Sequence, residues 1–188
     1  MRTGQLVSSL VVLTVLIFPV ILAPNVQPAQ QSEFHEYQVK AAFLYNFAKF
    51  VDWPKEALEK PETPVIIGIM GDDPFGSDLD ETLETKTAQG RPLKVKRLMN
   101  ANESKNCHIL FICLSQENRL AESLSKVNKL PILTVSDIEG FSRRGGMVTF
   151  ITEGNKVRFE INADAVQEGG LRISSQLLKL ATIVHKEK

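Results

Sequence analysis

Residues 65–74 are Val-Ile-Ile-Gly-Ile-Met-Gly-Asp-Asp-Pro, and this stretch gives the clearest indication of the fold class. Its first six residues are apolar and mostly β-branched, which predicts a buried strand over Val65–Met70. Asp73 is a suitable helix N-cap and Pro74 a suitable first helical residue, so a helix is predicted from there to about residue 84. A buried strand that turns directly into a helix is typical of α/β proteins.

The same alternation continues towards the C-terminus. Further strands are predicted over 93–98, 109–114 and 132–135, a helix over 116–127, and a short helix through Phe141 that Ser136 or Asp137 caps. An antiparallel hairpin over 147–152 and 156–162 and a closing helix over 173–185 follow. The predicted fold class is therefore α/β, with a mixed, mostly parallel sheet flanked by helices, a C-terminal antiparallel hairpin and a closing helix.

The first 29 residues have the features of a secretory signal. Arg2 is their only charged residue, and residues 6–22 are almost wholly apolar. We therefore expect a signal peptide over 1–29, a linker over 30–36 and a single domain over 37–188. An uncleaved N-terminal anchor is the alternative, because an apolar run of about 17 residues is near the shortest that crosses a bilayer.

The first helix of the domain is predicted over 33–51, and the pair Trp53-Pro54 ends it. Most of its circumference is apolar, yet Lys40 and Asn46 fall inside the apolar arc. Two interpretations are open. Either Lys40 pairs with a structural carboxylate or reaches solvent while Asn46 caps a loop carbonyl, or this face contacts another protein chain.

The two cysteines, Cys107 and Cys113, fall in one apolar run. In a single strand their Cα atoms would lie about 20 Å apart, at ~3.3 Å per residue. A disulfide needs Cα atoms about 4–7 Å apart. We therefore expect no disulfide and two buried, unpaired thiols.

No catalytic or metal-binding motif is recognisable. The three histidines, His35, His108 and His185, have no zinc-site spacing, and the glycine-containing turn at 68–76 lacks the lysine of a phosphate-binding loop. The 22 basic and 22 acidic residues argue against nucleic acid and anionic lipid as partners. We expect no enzyme activity, no cofactor, no metal, and no lipid contact beyond the signal segment.

The last third of the domain is the richest in candidate binding residues. Arg158 and Glu160 share one face of the predicted strand 156–162, and Arg172 could meet Glu160 or a ligand carboxylate. Ser174 or Ser175 can cap the last helix. This region is either a solvated strand face with an ordinary helix cap or a patch that binds a small ligand or a partner. The candidate binding residues of the whole chain are Arg158, Glu160, Arg172, Ser174, Lys40 and Asn46.

Several tracts of the sequence resemble those of one known family, and they occur in the same order along the chain. They are YQVKAAFLYNFAKFV (37–51) with Trp53-Pro54, IGIMGDDPF (67–75), CHILFI (107–112), GGM (145–147), VRFEIN (157–162) and LRISSQLL (171–178). Together they resemble the YfiR family of periplasmic regulators, the DUF4154 domain, over nearly the whole domain.

The resemblance implies a periplasmic α/β protein that can form homodimers. It implies a regulator that binds the periplasmic part of a membrane-bound diguanylate cyclase or sensor protein, restrains the cyclase and lowers cyclic di-GMP signalling. A periplasmic small-molecule sensor without a cyclase partner is the alternative. The best-known members bridge more cysteines than this chain has, so redox control is not carried over. Arg158, Glu160 and Arg172 lie in matching tracts and are the preferred contact residues.

Overall fold

The structure is a computed structural model that describes residues 28–58, 60, 62–154 and 156–186. The signal peptide predicted over 1–29 lies, apart from its last two residues, outside this part. Residues 30–36, predicted as a linker, continue the first helix. Within the described residues, no helix combines the length and the apolar character needed to cross a membrane.

Five helices and ten strands are described, with three 3-10 turns between them. The helices are α1 (Pro28–Phe50), α2 (Ser77–Leu83), α3 (Leu120–Val127), α4 (Ala163–Glu168) and α5 (Ser175–Leu178), and the 3-10 turns are Lys55–Leu58, Ala101–Asn106 and Leu114–Arg119. The strands are β1 (Val51–Asp52), β2 (Val65–Met70), β3 (Thr87–Ala88), β4 (Arg91–Leu98), β5 (Ile109–Ile112), β6 (Leu133–Ser136), β7 (Val148–Glu153), β8 (Lys156–Asn162), β9 (Arg172–Ile173) and β10 (Thr182–Val184).

The main sheet confirms the predicted fold class. Its strand order is β10-β8-β7-β6-β5-β2-β4-β3, and the five strands from β4 to β7 along this order are parallel. The C-terminal hairpin pairs β7 with β8 antiparallel, and β10 then lies parallel to β8. The local order β4-β2-β5-β6 is that of a doubly wound sheet, in which successive strands are added first on one side of β2 and then on the other.

Both faces of this sheet are covered. Ile109 and Phe111 of β5 face one core with α1 and α2, whereas Leu110 and Ile112 face a second core with α3. Alternate residues of a strand point to opposite faces, so a strand buried on both sides is apolar throughout. This explains why β2 and β5 are continuous apolar runs in the sequence.

Two turns of the structure differ from the prediction, one after β2 and one after β6. Helix α2 begins at Ser77, three residues after Pro74, because the Asp73 carboxylate accepts the Phe75 amide at 2.8 Å and forms a turn instead of a helix cap. The prediction of a short helix through Phe141 is wrong. Ser136 does accept the Ile138 amide at 3.0 Å, but the chain continues as turns.

The closing helix is present but short. Helix α5 ends at Leu178, and Thr182–Val184 forms β10 instead of continuing it. The residues after Ala181 are β-branched, which lowers their helix propensity and favours a strand. The free edge of β8 supplies the hydrogen-bonding partner.

Gly146 is a position where a side chain would not fit. A Cβ atom there would overlap the ring of Phe141, which is fully buried. Gly146→Ala is therefore expected to lower the free energy of unfolding by about 1–3 kcal/mol, measured by urea denaturation. Gly169→Ala is the control, because its Cβ would meet chiefly the flexible end of Met147. Equal losses at the two positions would contradict this explanation.

Candidate functional site

Lys40 lies inside the protein, in an ionic network at the N-terminal half of α1. Its side chain is 2% exposed, and its ammonium lies 2.6 Å from Glu36 Oε1 and 2.7 Å from Asp137 Oδ2. The Tyr37 hydroxyl donates to the same Asp137 oxygen at 2.7 Å. Lys40 therefore pairs with a structural carboxylate, the first of the two interpretations open at the sequence level, and ties α1 to the residue that follows β6.

This network occupies a place where sheets of this kind usually bind ligands. Doubly wound sheets bind small molecules at the carboxyl ends of their strands, near the point where the strand order reverses. Asp137 follows β6, and Phe75, which follows β2, packs edge-to-face on the Tyr37 ring at 5.3 Å. The N-terminal half of α1 thus covers part of that edge of the sheet.

Beside this covered edge lies a cleft of about 560 Å³, here called the carboxyl-edge cleft. Its charged residues are Asp137, Glu139, Arg143 and Glu160. The Glu160 side chain is 11% exposed and lies 3.1 Å from the Arg143 guanidinium. Asp137 Oδ1 is buried and has no hydrogen-bond partner among the described residues. The cleft is therefore polar, with more carboxylates than cations.

Glu160 thus has a different partner from the one considered in the sequence. Arg172 was a candidate partner, but Arg143 makes the ion pair and Arg172 lies in the two-stranded ladder of β9 with β1. Arg143 was missed because residues 142–144 fall between the short helix predicted through Phe141 and the hairpin predicted from 147, and belonged to neither. Its position in a polar loop before a strand is too common to single it out.

A second depression, here called the α1–α5 groove, is mostly apolar. It has a volume of about 230 Å³ and is lined by Phe43, Asn46, Phe50, Gln176, Leu177 and Leu180. The three α1 residues have helical spacing, so they form one stripe along the helix. Leu180 is 70% exposed, and Ile183 nearby in the chain is 45% exposed. A large apolar side chain, that of Leu180, therefore faces solvent at this groove.

Three of the six predicted binding residues lie at or near this groove. Asn46 lines it directly. Ser174 caps α5 by accepting the Leu177 amide at 3.3 Å, and its own amide donates to the Phe50 carbonyl at 2.9 Å. Arg172 is exposed two residues before Ser174, opposite Asp52 in the ladder.

The other three lie elsewhere. Lys40 is buried beneath the carboxyl-edge cleft and Glu160 lines that cleft. Arg158 is exposed on the β7–β8 hairpin, 3.3 Å from Glu153. The structure therefore does not assemble the six residues into one site.

The two cysteines are free and lie on opposite faces of the sheet. Cys107 packs in the core on the α3 side and Cys113 in the core on the α1 side. Burial raises the pKa of the Cys107 thiol to about 11 and that of the Cys113 thiol to about 12. A thiol reacts as its thiolate, so both groups are poorly reactive in the folded protein.

This inertness can be measured directly. We expect iodoacetamide to label neither cysteine in the native protein at neutral pH and both in urea, as read by mass spectrometry. The labelling rate should follow the unfolded fraction as denaturant rises. Rapid labelling of either residue without denaturant would contradict the buried positions.

Comparison with known proteins finds one matching family model and a solved structure with a similar fold. The YfiR/HmsC-like family model, DUF4154, matches residues 37–182 of the 188. Among solved structures, a conserved domain protein from Vibrio cholerae O1 biovar El Tor aligns with a TM-score of 0.50 at 12% identity. The alignment covers 78% of this chain and 59% of that one, so this chain spans less than two thirds of that protein.

The structural likeness shows a shared fold. The family match extends over nearly the whole described domain, and YfiR-like proteins are periplasmic regulators that are not known as enzymes. The chain belongs to the YfiR/HmsC-like family.

Proposed function

We propose that this protein is a non-enzymatic periplasmic regulator that binds the periplasmic part of a membrane-bound diguanylate cyclase. Binding restrains the cyclase and lowers cyclic di-GMP signalling. Export through the segment 1–29 would place the domain, residues 37–188, on the opposite side of the membrane from cyclic di-GMP. A regulatory effect must then pass through a membrane-spanning partner. We further propose that two copies form a homodimer.

The observation that supports this proposal best is the exposed α1–α5 groove. Leu180 at its rim is 70% exposed. An exposed apolar groove rimmed by polar residues is a feature of protein–protein interaction sites. The groove is bounded by one long helix and one short one, a shape that suits the apolar stripe of a third helix.

The charges around the groove suggest which helix fits. The Lys49 ammonium lies 5.4 Å from the centre of the Phe50 ring, and Lys179 and Arg172 are exposed near α5. All three are basic, and they outnumber the exposed Asp52 that lies opposite Arg172. We therefore propose a partner helix with an apolar stripe and acidic flanks, supplied by the periplasmic part of the cyclase. Asn46 and Arg172 are the predicted residues that contact it.

Site-specific crosslinking tests this proposal in intact cells. A photo-reactive amino acid is placed at Leu180, and in a matched control at Met99, which is 84% exposed and follows β4 near the opposite end of the sheet from β10. We expect a crosslink from position 180 to a membrane-bound cyclase, and none from position 99. Crosslinks to the cyclase from both positions, or from neither, would contradict the proposed surface.

A periplasmic small-molecule sensor is the second candidate function, and the carboxyl-edge cleft favours it. Its Arg143–Glu160 pair could exchange for a ligand that carries both an amine and a carboxylate. A ligand present at 100 times its Kd should stabilise the domain by about 2.7 kcal/mol in a thermal shift assay. The Glu160→Gln variant should lose most of that shift. No shift with any member of an amino-acid library at millimolar concentration would exclude this candidate.

A further inference from the structure

The outer side of β4 is an unpaired strand edge over most of its length. β4 pairs with β2 along Leu93–Leu98, whereas on its other side β3 pairs with it only at Arg91 and Pro92. Among the described residues, no strand lies beside Leu93–Leu98 on that outer side, here called the β4 edge. The β4 edge is about 20 Å long at ~3.3 Å per residue, which is long enough for an extended peptide to pair with it.

The hairpin of β3 and β4 shows which main-chain groups are available at the β4 edge. Arg91 lies opposite Ala88, whereas the neighbouring Pro92 has no amide to donate, so the N–H and C=O of Arg91 point towards β3. Every second residue of a strand points its main-chain groups the same way. The residues of the β4 edge that point outwards are therefore Leu93, Val95 and Arg97. Their amides and carbonyls can bond to one further strand.

A cleft of about 440 Å³ lies between the β4 edge and α2. Its apolar lining residues are Leu83, Leu93 and Val95. Arg97 joins the strand to α2, because its guanidinium lies 2.5 Å from Asp80 Oδ2. A strand added to the β4 edge would point every second side chain towards this cleft. The edge and the cleft therefore form one surface, with main-chain partners beside a place for side chains.

The exposed charges on the two faces of the β4 edge are opposite in sign. Leu98 packs in the core on the α3 side, and Lys94 and Lys96 point to the same face because they alternate with it. On the α2 face, Glu81 and Glu84 line the cleft. All four charged residues are exposed, and none of them has an ion-pair partner in the part of the chain that the structure describes.

These charges disfavour a second copy of this chain as the occupant of the edge. Antiparallel pairing of two equivalent β4 edges would bring the exposed lysines of both copies together on one face. Like charges on paired strands destabilise the pairing, and lysines on edge strands prevent self-association in this way. A strand with acidic residues on that face would instead be attracted.

We propose that the β4 edge binds an extended segment of a partner protein, with acidic residues at every second position and apolar residues or lysine between them. The segment adds to the sheet as a further strand. Its acidic residues lie against Lys94 and Lys96, and a lysine between them enters the cleft and reaches Glu81 or Glu84. Main-chain hydrogen bonds supply the affinity, and the alternating side chains supply the specificity.

This surface goes beyond the proposed regulatory function. The β4 edge lies near the opposite end of the sheet from β10, and its partner need not be a cyclase. Failure of the tests below would therefore leave the α1–α5 groove and its partner unaffected.

A synthetic peptide tests the charge pattern. Fluorescein-labelled Thr-Val-Glu-Lys-Glu-Val-Thr is titrated into the full chain and followed by fluorescence anisotropy. We expect saturable binding with a Kd below about 1 mM, and none at that concentration when lysine replaces both glutamates. Absence of binding by the first peptide, or equal binding by the two, would overturn the proposal.

Reversing the lysines of the protein should reverse this preference. In the double variant Lys94→Glu, Lys96→Glu, the Kd of the acidic peptide should rise at least about tenfold, and the peptide with lysines should now bind. The control Lys129→Glu, Lys156→Glu makes the same change in net charge at two exposed lysines elsewhere and should bind both peptides as the wild type does. Equal weakening by the two double variants would overturn the proposed surface.

Amide hydrogen exchange, followed by NMR, tests whether the peptide adds as a strand. The outward-pointing amides are those of Leu93, Val95 and Arg97. In the free protein they should exchange faster than the amides of Lys94 and Lys96, which face β2. Saturating acidic peptide should slow the outward-pointing amides at least about tenfold. Binding of the peptide without this protection would overturn the proposed strand addition.

Discussion

Replacing Lys40 with methionine is expected to lower the free energy of unfolding by about 3–5 kcal/mol, the usual loss when one partner of a buried ion pair is removed. Methionine keeps much of the volume and removes the charge. Asp137, whose side chain is 12% exposed, would then keep only the Tyr37 hydroxyl on Oδ2 and no partner on Oδ1. Urea denaturation of the variant measures the loss.

Two further variants identify the cause. Lys49→Met changes an exposed lysine on the same helix and should alter the free energy of unfolding by less than about 0.5 kcal/mol. The double variant Lys40→Met, Asp137→Leu removes both buried charges and should recover most of the stability. A large loss that the second substitution does not recover would show that the ion pair is not what Lys40 supplies.

Replacing Leu180 with glutamate is expected to weaken binding of the partner by at least about 2 kcal/mol, roughly a thirtyfold rise in Kd. The substitution puts a charge into an apolar contact that binding would bury. Because Leu180 is 70% exposed in the free protein, the free energy of unfolding should change by less than about 0.5 kcal/mol. Calorimetric titration with the periplasmic part of the cyclase measures the first quantity.

Met99→Glu is the matched control for this prediction. Met99 is 84% exposed and lies outside the α1–α5 groove, so the same change in charge should leave the Kd unaltered. Equal weakening by both substitutions would indicate a general charge effect. If Leu180→Glu left the Kd unchanged, the α1–α5 groove would not be part of the surface that binds the partner.

Local sequence patterns were sufficient to locate the predicted strands and insufficient to place the ends of the helices. The strands Val65–Met70 and Lys156–Asn162 have the predicted bounds, because the first is a continuous apolar run and the second alternates apolar and polar residues. The predicted end of the closing helix was wrong because residues 182–184 pair with the edge of β8 and form β10. The β-branched residues 182–184 favour a strand locally, but the edge with which they pair is a tertiary feature that the local sequence does not encode.

The candidate site was less predictable for the same reason. The partner of Lys40 is Asp137, which lies 97 residues further along the chain, and the partner of Glu160 is Arg143 in a loop. Helical spacing placed Asn46 among apolar residues of α1. Whether that face stays open depends on the short α5 that ends beside it.

Cyclic di-GMP levels in living cells test the central proposal most directly. They are compared in a strain that lacks this protein and in the same strain carrying the wild-type chain, Leu180→Glu or Met99→Glu at equal abundance. We predict raised cyclic di-GMP without the protein, restoration by the wild type and by Met99→Glu, and no restoration by Leu180→Glu. Unchanged cyclic di-GMP after loss of the protein would contradict the account.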